Sequence, residues 1–66
     1  MTKLGQLQTK KIYVHQLEPG MYVSGLDRPW LETPFYLRGF MIRNAGEVQK
    51  LALYCDYVYV DYEKSI

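Results

Sequence analysis

The chain predicts a small α+β module, a curved sheet of about four strands with one short helix, in the order β-β-β-α-β. Three observations predict it. Short runs rich in β-formers alternate at Ile12-Tyr13-Val14, Met21-Tyr22-Val23-Ser24 and Tyr57-Val58-Tyr59-Val60. One helical period, Val48, Leu51, Ala52 and Cys55, lies ahead of the last run. The composition, 48% hydrophobic and 15% aromatic, can fill one small core and argues against disorder.

Taken in order, residues 1–9 read as a flexible polar lead, residues 10–63 as a single domain, and residues 64–66 as a tail or the start of a linker. Ile12 and Val14 share one face of the first strand. Glu18-Pro19-Gly20 suits a type II turn, because proline presets the second position and glycine takes the positive φ of the third. Met21 to Ser24 resumes the alternation, so the first two strands are expected to pair as a hairpin across that turn.

Asp27 to Pro34 is a loop by composition, since Pro29 and Pro34 cannot donate ladder hydrogen bonds. Phe35 to Ile42 reads as a third strand, bent or bulged near Gly39. Asn44 then caps a helix over Ala45–Tyr54, and Glu47 three residues later completes a capping-box-like pair. Gly46 weakens its first turn by up to about 1 kcal/mol relative to alanine. So short a helix cannot stand alone in water, and it must lay Val48, Leu51, Ala52 and Cys55 on the sheet. Asp56 to Tyr62 forms the final strand, with Tyr57, Tyr59 and Asp61 on one face and Val58, Val60 and Tyr62 on the other.

Several function classes fall away on composition. The net charge of +1, with basic and acidic residues interspersed, gives no footprint for nucleic acid or an anionic membrane surface. No apolar run approaches the 18–20 or so residues that a membrane span needs. The N-terminal residues lack the apolar core of a signal peptide. A lone cysteine excludes an internal disulfide and a multi-thiolate zinc site, which suits a reducing, cytoplasmic compartment. No cofactor and no metal are expected, and no residue is assigned a catalytic role.

His15 reads as a surface or strand-end histidine rather than a ligand, and Cys55 as a core residue at the end of the helix stripe. Arg38-Gly39-Phe40 matches the start of an RNA-recognition signature, but Met41-Ile42-Arg43 breaks it. Asp27, Arg28 and Glu32 around Trp30 form the most function-like cluster: a recognition loop, or a structural plug with Asp27 and Arg28 fixing the turn. If Val58 and Val60 face the helix, Tyr57 and Tyr59 make an exposed aromatic strip suited to protein contact.

The segment Gly25-Leu26-Asp27-Arg28-Pro29-Trp30-Leu31-Glu32-Thr33-Pro34-Phe35, followed by Tyr36-Leu37-Arg38-Gly39-Phe40, is flanked by Leu17-Glu18-Pro19-Gly20-Met21-Tyr22-Val23 and Tyr57-Val58-Tyr59-Val60-Asp61. Together these resemble, from about Lys10 to Glu63, the small N-terminal domain of unknown function that precedes the catalytic domain in bacterial HD-GYP cyclic-di-GMP phosphodiesterases. The resemblance implies an accessory or regulatory role in second-messenger signalling. The partner would be a C-terminally attached HD-GYP catalytic domain or another signalling protein, with a homodimer as a further option.

The parent protein would be a phosphodiester hydrolase, but this chain has one histidine, no His-Asp pair and no Gly-Tyr-Pro triplet, so no catalytic residue of the family carries over. The expected contact residues are Arg28, Trp30, Tyr57 and Tyr59. Two alternatives stand beside this reading. One is a cyclic-dinucleotide sensor in which Arg28, Arg38 and Arg43 meet a phosphate while aromatics stack on the base. The other is a free-standing adaptor using the same patch.

Overall fold

Val58 and Val60 are wholly buried, and the sheet is arranged around the strand that carries them. The structure is a computed structural model that describes residues 9–35 and 38–66. The expected flexible lead at residues 1–8, and Tyr36 and Leu37 of the expected third strand, lie outside the described residues. Strands β1 (Thr9–Tyr13), β2 (Tyr22–Leu26) and β3 (Phe40–Met41), helix α1 (Ala45–Tyr54) and strand β4 (Tyr57–Asp61) follow in the expected β-β-β-α-β order. Two short 3-10 turns, Val14–Gln16 and Trp30–Glu32, interrupt the connections.

The four strands form one antiparallel sheet in the order β1-β4-β2-β3. The expected hairpin between the first two strands does not form, because β4 lies between them. Ile12 is opposite Val58 and Tyr13 opposite Tyr57 on one side of β4, while Val23 is opposite Val60 on the other. The run with the strongest alternation thus takes the central place. There both its edges are bonded and its valines are covered.

The Glu18–Gly20 turn is present as its residues require: Gly20 adopts φ +99° and the Met21 amide donates to the Glu18 carbonyl at 3.3 Å. The turn leads β2 alongside β3 instead of back onto β1. The Gly20 amide donates to Ile42 (2.8 Å), and the Ile42 amide to Met21 (2.9 Å). The described part of the third strand is only Phe40–Met41, short of the expected Phe35–Ile42. Gly39, at φ +148°, bends the chain just before it.

One feature of β2 escapes simple alternation. Val23 and Leu26 are both buried although an odd number of steps separates them. A register shift between Val23 and Gly25 supplies the extra residue that turns Leu26 back toward the core.

Helix α1 spans the expected residues. The Asn44 side chain accepts from the Glu47 amide at 3.1 Å, and Glu47 Oε1 accepts from the Arg43 amide at 2.6 Å. This closes the cap one residue earlier than a standard capping box. Leu51 and Cys55 are buried and Val48 is half-buried, but Ala52 is exposed, against expectation. The helix contacts the Val14–Gln16 turn as well as the core, and that cover is narrower than its apolar stripe. Full burial of Leu51 contributes about 1.5–3 kcal/mol. The core comprises Leu17, Val23, Leu26, Ile42, Leu51, Cys55, Val58 and Val60. At the far end of the chain, the Ile66 amide donates to Gly20 (2.8 Å), and Ser65 Oγ accepts from the Tyr22 amide (2.9 Å).

Candidate functional site

Because Val58 and Val60 point into the core, alternation sends Tyr57 and Tyr59 to the opposite face of β4. The register of β1 then places Tyr13 opposite Tyr57 and Lys11 opposite Tyr59 on that same face. The rings touch in sequence. Tyr13 and Tyr57 meet edge to face at 6.0 Å, Tyr57 and Tyr59 at 5.9 Å, and His15 stacks on Tyr13 at 6.1 Å. Lys11 Nζ lies 4.2 Å from the Tyr57 ring centre and 5.3 Å from that of Tyr13, a cation held between two aromatic faces.

Across β2, Tyr59 lies over Gly25. A Cβ there would stand 3.4 Å from its ring, so the missing side chain gives the ring a flat seat. Helix α1 packs on the other side of the sheet, so the described residues leave this aromatic face uncovered. Tyr13 remains 46% and Tyr59 37% exposed.

The loop residues occupy a different place. Asp27 directly follows β2, with its side chain only 5% exposed. Its carboxylate accepts from Arg28 Nε (2.8 Å) and from the Asp56 amide (2.9 Å), tying the loop to the α1–β4 connection. The Arg28 guanidinium and the Asp56 amide hold its pKa at about 2 against the opposing effect of burial. Arg28 is raised in turn by Asp27. Cys55 is a buried free thiol whose pKa is pushed up by burial first and the Asp27 carboxylate second, which leaves it a poor nucleophile. His15 is exposed, as a surface residue should be.

Trp30 is half-buried against the core and meets Phe40 edge to face at 6.5 Å. Phe40 pairs with Val23 and shares the core side of the sheet. Of the four expected contact residues, the structure therefore brings Tyr57 and Tyr59 together. It places Trp30 on the opposite side of the sheet and ties Arg28 to Asp27 at the sheet's end. Sequence reasoning missed Tyr13 and Lys11 as members of the tyrosine face. The signal that finds them is the β1–β4 register, which follows only once the two strands are known to be neighbours.

Among the described residues no group of three or more His, Cys, Asp or Glu side chains could hold a metal ion. No described helix is long and apolar enough to cross a membrane.

The fold and this face define a two-layer α+β module in which the described residues leave one side of the sheet open. The sequence profile of the family described as Domain of unknown function (DUF3391) matches residues 9–66, and the chain belongs to that family. No curated protein and no solved structure matches it.

Proposed function

We propose that the chain is a non-catalytic regulatory module that works by packing its tyrosine face on another protein domain. The observation that carries this reading is the joined set Tyr13, Tyr57 and Tyr59 on a sheet face that the described residues leave uncovered. Tyrosine offers a large apolar ring with a polar tip, and it is enriched among the residues that dominate protein interfaces. A sheet stably buries both faces only when a further layer covers the second. The resemblance to the N-terminal domain of HD-GYP proteins names the layer: the cyclic-di-GMP phosphodiesterase domain on the C-terminal side of the same cytoplasmic, bacterial polypeptide. The module would set the orientation or dimer state of that domain.

The test begins with the intact mass of the native protein in its source cells. The reading expects a mass far above 7.8 kDa, with an HD-GYP domain in the same chain. In that full chain, amide exchange around Tyr57 and Tyr59 should be slower than in the isolated module. The paired changes Tyr57→Ser and Tyr59→Ser should remove the difference and alter the phosphodiesterase rate. The module alone, mixed with cyclic-di-GMP and a divalent cation, should hydrolyse nothing. A native species of 7.8 kDa, or turnover by the module itself, would overturn the proposal.

A further inference from the structure

On the side of the sheet away from the tyrosine face, a hollow of about 510 Å³ opens between the loop after β2 and the first turns of α1. Its lining includes Pro34, Phe35, Phe40, Arg43, Glu47 and Lys50. The volume falls in the range of small-molecule sites, roughly 300–1,000 Å³. Phe35 and Phe40 stack nearly parallel, with ring centres 5.6 Å apart and planes at 21°. Tyr54 meets Phe35 edge to face at 6.0 Å and Trp30 meets Phe40, so the pair is the part of a four-ring cluster that forms an apolar step on the wall of the hollow. A second hollow of about 330 Å³ shares Pro34 and Phe35 with the first and adds Trp30 and Arg38.

The charge around this step is one-sided. Arg38, Arg43 and Lys50 contribute three cations to the two hollows, against the single acid Glu47. Glu47 is committed to the helix cap through Oε1 and the Arg43 amide. The one ion pair among the described residues is Arg28–Asp27, so none of these three cations makes a direct ion pair with a described carboxylate. Lys50 Nζ stands 5.3 Å from the centre of the Phe35 ring, which places its ammonium beside the aromatic step. The chemistry that answers an apolar aromatic step rimmed by more cations than acids is a planar aromatic ring carrying an anion. Arginine's fork suits a phosphate above other anions.

We infer that this groove binds a phosphate-bearing planar heterocycle of the nucleotide class, its ring against Phe35 and Phe40 and its phosphate toward Arg43 and Lys50. The site is separate from the tyrosine face, so it stands or falls independently of the interdomain role. The ligand would give the module an input distinct from its docking contact.

The experiment is a two-dimensional NMR titration of the whole chain with three probes: adenosine 5′-monophosphate, adenosine and inorganic phosphate. The nucleotide should move the ring resonances of Phe35 and Phe40 and the amides around Arg43–Lys50 in a saturable way. Adenosine and phosphate alone should each bind about tenfold more weakly or less tightly still, since each keeps one half of the recognition. Lys50→Gln, on an exposed helix position, should weaken the nucleotide about tenfold, while Lys50→Arg should preserve it. No saturable shift at millimolar nucleotide in the unaltered chain would overturn the inference. So would shifts confined to Tyr13, Tyr57 and Tyr59, or equal binding of all three probes.

Discussion

Asp27 lies where the end of β2, the following loop and the start of β4 meet, and one carboxylate serves all three. Its hydrogen bonds to Arg28 and to the Asp56 amide are charge-assisted only while it is ionised, and they weaken when it is protonated. The folded pKa of about 2 lies below the usual 3.8, so the unfolded chain takes up the proton first as the solution is acidified. The stabilisation is therefore complete above pH 3.8 and is lost as the pH falls toward 2. Urea midpoints measured between pH 5 and pH 2 should fall in this window, and Asp27→Asn should flatten the fall. At neutral pH the same substitution should cost on the order of 1–3 kcal/mol, because it weakens a charge-assisted bond to a main-chain amide. The tie between Asp27 and Asp56 spans distant parts of the chain, which is why composition could suggest a turn-fixing role for Asp27 without naming its partner.

The elements differ in how much of their geometry is written locally. Helix α1 follows from neighbours in sequence: Asn44 and Glu47 are three apart, and their bonds form wherever the segment is placed. Asn44→Ala should lower stability by about 1 kcal/mol in chemical denaturation, leaving the fold unchanged by circular dichroism. The Glu18–Gly20 turn is likewise local, and it too could be read in advance. Strand pairing is not local. The spacing around Pro19 allows a hairpin, yet the alternating valines of β4 win both neighbouring strands. The bulge between Val23 and Gly25 leaves no mark in the residue types, because it exists only as a mismatch between two strands. The aromatic groove was legible only as scattered residues. Trp30, Phe35, Phe40, Arg38 and Arg43 stand out in the sequence, but which rings touch depends on the path of the loop.

For the whole molecule, the small core makes closing contacts at the chain's end matter. Ser65 and Ile66 bond to the backbone of Tyr22 and Gly20, joining the last residues to the β2–β3 corner. Removing Ser65 and Ile66 should leave the Tyr22 amide without its partner and lower the unfolding free energy by on the order of 1–2 kcal/mol. Faster amide exchange at Tyr22 would locate the loss there; unchanged exchange would show that solvent replaces Ser65 without cost. A chain this short has few spare contacts to absorb such a change.

The position of β4 also bears on how the molecule comes into being. The last of the sheet's four strands in sequence lies between β1 and β2, and Thr9 waits for Asp61 before it has a partner. During synthesis β2 can pair with β3 early, but β1 has no neighbour until β4 has emerged and can lie between it and β2. Closing the sheet then depends on distant pairings, which is slower than a helical chain of equal length would manage. Through that interval, β1 presents Lys10 and Lys11 along its unpaired length, charges of the kind that discourage premature pairing with another chain.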